Sequence, residues 1–120
     1  LEEHIFQELI DLKYFTLSEN QISSFKKNTF TGLARLRYLN LDHNRIRFIQ
    51  QISFSHIPQL KELILAGNEL VSFPSNAFFD LPSLKILHLP KIINSTFTKQ
   101  TLKTLQRLAH MISKLTICKY

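Results

Sequence analysis

Residues 36–46 have the sequence LRYLNLDHNRI, which follows the pattern L-x-x-L-x-L-x-x-N-x-I. The same pattern, with minor substitutions, begins at Leu12 and again at Leu60, and a fourth, incomplete copy begins at Leu84 and has Ile92 in place of the asparagine. The copies are thus evenly spaced. A pattern that recurs at a fixed period of roughly 20–50 residues is typical of a solenoid, in which each repeat packs against its neighbours. We therefore expect one continuous stack of repeats.

Within each copy, apolar and polar residues alternate as they do in a short β-strand. Leu39 and Leu41 are expected to point to one side, whereas Tyr38, Asn40 and Asp42 point to the other. Because a single copy cannot bury its own apolar side, neighbouring strands must lie next to one another, about 4.8 Å apart. The alternation predicts a parallel sheet of about four strands.

The second half of each copy is rich in phenylalanine, with Phe30, Phe54 and Phe78 in one column. In this respect, and in its Leu and Asn positions, the chain resembles the leucine-rich repeat family, specifically the 24-residue "typical" repeats of extracellular proteins such as Toll receptors and Slit. The resemblance implies an α/β solenoid: a right-handed superhelix with a concave parallel sheet and an irregular convex side. It also implies a role in recognition, adhesion or innate immunity. We interpret the phenylalanines as a packing spine.

The repeat pattern predicts a single domain over residues 1–120. Leu1, Phe6 and Leu9 match the second half of a repeat, so 1–11 is predicted to be a partial repeat in which a short helix is allowed. Apolar residues at three- and four-residue steps predict a helix over 98–115, at the start of a capping segment. The predicted units are 1–11, the full repeats 12–35, 36–59 and 60–83, a decaying repeat 84–97, and a C-terminal helix cap 98–120.

The recurring asparagines Asn20, Asn44 and Asn68 are predicted to be structural. Each lies where the chain turns out of the sheet and leaves backbone groups without sheet partners, and an amide can both donate and accept. An asparagine ladder along the solenoid would satisfy these turns.

The concave face, defined as the outward side of the strands, is the predicted ligand-binding surface because the repeat pattern leaves its residues free to vary. Neighbouring Tyr14 and Tyr38 favour an interface, although a cross-strand pair that only stabilises the sheet is an equal alternative. The predicted binding residues are Tyr14, Thr16, Glu19, Tyr38, Asn40, Asp42, His43, Glu62, Ile64 and His88.

A second column, the basic row, consists of Lys13, Arg37, Lys61 and Lys85 at the starts of the strands. It resembles a binding site for a polyanion. Because lysine at this step is frequent in the repeat family that the chain resembles, a solvated edge is the favoured interpretation.

Catalytic and metal-binding motifs are missing from the sequence: there is no phosphate loop, Cys/His cluster or nucleophile elbow. His43 and His88 would lie two strands apart, roughly 10 Å, which is too far for shared zinc ligation. Asp42 beside His43 is interpreted as a solvated pair. We predict a non-catalytic protein that needs no metal and no cofactor.

Charge is distributed unevenly along the chain, whose net charge is +6. Residues 1–11 carry −4 and residues 81–120 carry +7. One alternative function is therefore head-to-tail self-assembly into a homo-oligomer. Another is binding of an anionic glycan or lipid by the basic C-terminal helix, whereas nucleic acid is not favoured. The residues predicted for polyanion binding are Lys99, Lys103, Arg107 and Lys114.

Sequence features that bear on cellular location point in different directions. Asn94-Ser95-Thr96 matches a glycosylation acceptor, and no apolar run reaches the length of about 18–20 residues that spans a membrane. Extracellular members of the family that the chain resembles usually carry disulfide-bonded caps, which the single Cys118 cannot form. We expect an extracellular or cell-surface domain, with a cytoplasmic protein as the alternative; Cys118 is either passive or forms an intermolecular disulfide.

Overall fold

A computed structural model describes residues 1–50, 53–71, 77–78, 80–90, 103, 106–107 and 116–119. Its five strands form one parallel sheet in the order of the sequence, and each strand pairs with the strand of the adjacent repeat. The pairing joins Tyr14 to Tyr38, Glu62 and Ile86 in successive strands, so the sheet advances by one repeat per strand through β4. The strands are β1 Tyr14–Thr16, β2 Tyr38–Asn40, β3 Glu62–Ile64, β4 Ile86–Leu89 and β5 Thr116–Lys119.

The inward side of the sheet forms one side of the core, as the alternation predicts. Leu39, Leu63 and Leu87 lie in paired positions on β2, β3 and β4 and are completely buried. The opposite side of the core contains the phenylalanine spine, in which Phe54 stacks between Phe30 and Phe78 with 5.9 Å between ring centroids on each side. The prediction of a shared interior built from successive repeats is confirmed.

Residues 1–11 extend this spine without forming a helix. Phe6 stacks on Phe30 with 6.2 Å between ring centroids and meets Phe15 of β1 edge-on at 4.9 Å. The segment consists of turns, and His4 at a φ of 58° is incompatible with a continuous helix. The segment thus packs like the second half of a repeat, as the sequence predicts. The short helix that its residue spacing allows does not form.

Strand β5 lies within the predicted cap segment 98–120, after the helix predicted over 98–115, and adds a fifth strand to the sheet of about four that the repeats predict. It pairs in parallel with β4, and Leu87 and Leu89 are opposite Ile117 and Lys119. The repeat pattern did not reveal β5 because lysine occupies a position that is apolar in β4 and because the step from Ile86 to Thr116 is longer than one repeat. In the preceding segment the structure describes Lys103, Gln106 and Arg107, which are helical and exposed. Most of the predicted helix over 98–115 lies outside the described residues.

Two of the three recurring asparagines bridge neighbouring repeats. Asn44 is buried; its Oδ1 accepts from the Ile22 N–H at 3.1 Å, and its Nδ2 donates to the Leu17 and Leu41 carbonyls at 3.0 Å each. Asn68 repeats this arrangement one turn later. Asn20 is exposed and bonds only within its own turn. The predicted asparagine ladder therefore forms between the turns of Asn20, Asn44 and Asn68.

Candidate protein-binding face

The ten predicted binding residues lie on the strands or on the turns that follow them, on the side opposite the core. Backbone pairing places Thr16, Asn40, Ile64 and His88 in one row across β1 to β4. Exposure differs along the face: Tyr14, Thr16, Glu19 and His43 are exposed, whereas Tyr38, Asn40, Asp42, Glu62, Ile64 and His88 are half-buried. Most of the concave face thus consists of half-buried side chains. Its most exposed aromatic residue is Tyr14 on β1.

The tyrosine pair, Tyr14 and Tyr38, occupies directly opposite positions on β1 and β2. Their ring centroids are 6.3 Å apart with a tilt of 47°, and Tyr14 is 68% exposed. Burial raises the pKa of the Tyr38 hydroxyl, the negative charge of Glu62 raises it further, and the hydrogen bond with Asn40 lowers it. At neutral pH Tyr38 is thus an uncharged donor and acceptor at the floor of the face.

Asp42 is more constrained than the solvated pair that the sequence suggested. Its backbone N–H donates to Oδ1 of Asn40 at 2.9 Å, and its side chain is only 26% exposed. One carboxylate oxygen, Oδ2, lies 3.3 Å from Nδ1 of His43, while Oδ1 is buried without a hydrogen bond. Sequence spacing alone does not reveal that this carboxylate is largely buried.

His88 and Glu62 form a contact that the sequence analysis missed. His88 Nε2 lies 2.8 Å from Glu62 Oε2, and both side chains are largely buried. The two residues are separated in sequence by one repeat plus two positions, which places them diagonally on neighbouring strands where long side chains meet. A search for complementary residues at a step of one repeat plus two would have found the pair.

The turns after β1, β2 and β3 each contain one residue with a left-handed backbone. Glu19, His43 and Gly67 share one column and have φ values of 57°, 51° and 70°. A Cβ at Gly67 would lie 3.0 Å from the His43 ring, so the glycine gives that imidazole room to lie against the turn. The signal for this geometry was the glycine in the column, since glycine adopts positive φ without steric cost.

The basic row follows the margin of the concave face. All four of its residues are exposed, and the N–H groups of Arg37, Lys61 and Lys85 each donate to the carbonyl of the preceding row member at 2.8 Å. These backbone bonds place the four residues on directly adjacent strands, so that successive members are about 4.8 Å apart.

Metal-binding and membrane-spanning features are not found in the part of the chain that the structure describes. No group of three or more His, Cys, Asp or Glu side chains there is arranged to hold a metal ion. No helix among those residues is long and apolar enough to cross a bilayer.

The remaining predicted sites lie mostly outside the described residues. Lys103 and Arg107 are exposed, whereas Lys99, Lys114 and the acceptor Asn94 are outside the described part of the chain. Cys118 is in β5, where its backbone pairs with that of His88. Polyanion binding by the tail and glycosylation at Asn94 stay predictions.

Comparisons with known proteins agree with this architecture. A family model described as leucine rich repeat matches residues 1–46 and 35–91. A chain of the Drosophila Toll–Spatzle complex, described as a molecular hub in development and innate immunity, is similar to this chain with a TM-score of 0.70 and 25% sequence identity. The similarity covers 83% of this chain and 14% of that one. No curated protein sequence matches at a significant level. Because the family matches span most of the sequence and the sheet has the corresponding parallel order, the chain belongs to the leucine-rich repeat family.

Proposed function

We propose that the chain is a non-catalytic module that binds a protein ligand on its concave face. The tyrosine pair is the observation that carries this proposal. A ring that is 68% exposed and already packed against its neighbour presents apolar area and a hydroxyl group at low entropic cost. Tyrosine is enriched in protein interfaces for this reason.

Polar groups next to the tyrosine pair could form hydrogen bonds that orient a ligand on the concave face. The Asp42 side chain is 26% exposed, and its Oδ2 lies 3.3 Å from Nδ1 of His43, so part of this carboxylate is open to a ligand. Asn40 holds the Asp42 backbone through a 2.9 Å hydrogen bond, which limits the motion of this part of the floor. A ligand donor that reaches Asp42 would gain a charge-assisted hydrogen bond, which is stronger than a neutral one.

The size of the face limits the expected affinity. Ten candidate residues lie on it, whereas a standard protein interface uses about 20–30 residues from each partner. We therefore infer weak binding by this chain alone, with a Kd of micromolar order, and stronger binding where further surface contributes.

The family and the similar chain of the Toll–Spatzle complex support a proposal for the biological setting. We propose recognition, adhesion or innate-immune-type signalling, in an extracellular or cell-surface location. The chain corresponds to 14% of the length of that Toll–Spatzle chain, so the ligand itself is not transferred by the similarity.

Site-specific photocrosslinking tests the proposal. A photoreactive phenylalanine analogue replaces Tyr14 in one version of the chain and Phe48 in another; Phe48 is a matched control because it is also exposed, at 57%, and lies outside the strands. Both versions are irradiated with extracellular and cell-surface protein from the source of the chain. We expect discrete protein adducts from position 14 that excess unlabelled wild-type chain suppresses.

A competitor with altered concave residues separates specific from adventitious capture. The competitor carries Tyr14→Ser, Tyr38→Ser and Asp42→Asn, and its folding is checked by denaturation. It should fail to suppress the adducts that wild type suppresses. Equal suppression by both competitors, or adducts from positions 14 and 48 alike, would remove the concave face as the binding surface.

A further inference from the structure

The basic row has a regular geometry that the proposed protein-binding function does not use. Lys13, Arg37, Lys61 and Lys85 stand on four adjacent strands, connected by three backbone hydrogen bonds of 2.8 Å. At about 4.8 Å per strand, the row extends roughly 14 Å. The sheet thus fixes the spacing of four backbone positions that each carry a positively charged side chain.

These four charges have no ion-pair partner in the described part of the chain. The nearest carboxylates in sequence are already engaged: Asp11 pairs with Arg35 at 3.2 Å, and Glu62 contacts His88 at 2.8 Å. By contrast, Lys26, which lies outside the row, is paired with Glu2 at 2.9 Å. The row is thus a concentrated, uncompensated positive charge on the surface.

We propose that the basic row is a binding site for an extended sulfated polysaccharide. A linear chain with a negative charge at short, regular intervals can lie along the row and pair with all four cations at once. Such binding releases the counterions that condense on the polyanion, which makes it favourable at low salt. This site is separate from the concave-face residues, and the inference does not depend on the existence of a protein ligand.

The surroundings of the row favour a narrow polyanion over a broad one. The adjoining concave face carries the carboxylates of Glu19, Asp42 and Glu62 and, on β1 to β4, no lysine or arginine in its outward rows. A duplex nucleic acid that covered both surfaces would meet these carboxylates, whereas a single polysaccharide chain can stay on the margin.

Single-stranded nucleic acid fits less well for a different reason. Its nonspecific binding combines cations with aromatic rings on which successive bases stack. On the outward side of β1 to β4, the aromatic residues beside the row are Tyr14 and Tyr38, whose rings are tilted by 47° against each other and so do not offer two parallel stacking faces.

Heparin affinity as a function of salt tests the proposal on the full chain. If four cations contribute about 0.7–0.9 each to the slope of log K against log [salt], affinity should fall about 50- to 150-fold between roughly 50 and 200 mM salt. The variant K13Q/R37Q/K61Q/K85Q should lose most of this dependence and bind weakly at both concentrations. Its urea midpoint should remain near that of wild type because all four side chains are exposed.

A second variant, K99Q/K103Q/R107Q/K114Q, is the matched control. It removes the same number of charges from the basic tail, the alternative polyanion site that the sequence indicates. We expect it to keep nearly the wild-type salt slope. If the tail variant loses the slope and the row variant retains it, the proposed location is wrong.

The class of ligand is tested with two further probes. Chemically desulfated heparin of the same length should bind at least about tenfold more weakly, since most of its charges are gone. A single-stranded DNA of equal total charge should also bind more weakly than heparin. Equal binding of the DNA and of heparin would overturn the assignment to sulfated polysaccharide in favour of unselective charge attraction.

Discussion

Asn68 Oδ1 accepts a hydrogen bond from the backbone N–H of Ile46 at 3.0 Å, although the two residues belong to neighbouring repeats. The same amide donates through Nδ2 to the Leu41 and Leu65 carbonyls, both at 2.9 Å, and so touches the backbone of two turns at once. Because Asn68 is buried, these backbone groups have no water to replace it. The folded state of the repeat 36–59 is therefore stabilised by hydrogen bonds from the repeat that follows it.

Replacing Asn68 with alanine should destabilise the fold strongly. The substitution leaves one N–H and three carbonyls of the turns without this partner, at about 1–3 kcal/mol for each buried group that stays unsatisfied. Because such costs are not additive, we expect a total loss of roughly 2–4 kcal/mol, which urea denaturation measures. Asn20→Ala is the matched control: Asn20 is exposed and bonds only within its own turn, so its loss should be below about 1 kcal/mol. Equal losses for both variants would disprove the inter-repeat role of the amide.

The phenylalanine spine gives a second stability prediction. Phe54 is fully buried between two stacked rings, and Phe54→Ala should cost about 3–5 kcal/mol. Because this variant could fail to fold, Phe54→Leu serves as the graded test, with an expected cost of about 1–2 kcal/mol and a reduced near-ultraviolet circular dichroism signal. Phe6→Leu, at the half-buried end of the spine, should cost less than Phe54→Leu. The reverse order would mean that the spine is not the centre of the core.

The core was predictable because its residues recur in fixed columns. Leu39, Leu63 and Leu87 occupy the same position of successive repeats and are buried, as the alternation requires. The repeat model failed where the period changes: β5 follows β4 after a longer step and has Lys119 opposite Leu89, so no pattern marked it. Backbone pairing alone defines that strand, and pairing is a tertiary property.

The candidate site was predictable as a surface but not as a set of contacts. Period and alternation placed Tyr14 beside Tyr38, and the structure confirms the pair. They did not indicate the burial of Asp42, because burial of a single side chain depends on tertiary packing and not on the repeat period. The diagonal contact of His88 with Glu62 was missed because columns compare residues directly opposite one another.

Gly32 determines whether the segment 1–11 can pack on the first repeat. Its φ is 101°, and a Cβ there would overlap the backbone of Gln7. Gly32→Ala should therefore displace residues 1–11 at a cost of about 1–3 kcal/mol. The loosened backbone should then be cut faster by a glutamate-specific protease at Glu2, Glu3 and Glu8, whose side chains are exposed already. Gly67→Ala also adds a methyl group at positive φ but next to His43, so it should leave that segment protected. Equal cleavage of the two variants would contradict the packing role of Gly32.

The ionisation of Tyr38 reports on the electrostatics of the concave face. Burial, followed by the charge of Glu62, raises the pKa of Tyr38 above its ordinary value of 10.0, so the fold favours the neutral hydroxyl. The stability that this provides is fully present below the ordinary pKa and is lost as pH rises through the folded-state pKa. In a Tyr14→Phe/Tyr120→Phe background, phenolate absorbance should show a single titration above that of unfolded chain. Glu62→Gln should move this titration to lower pH without returning it to the ordinary value, because the larger effect of burial remains. A midpoint that does not respond to Glu62→Gln would place the carboxylate too far from the hydroxyl to act on it.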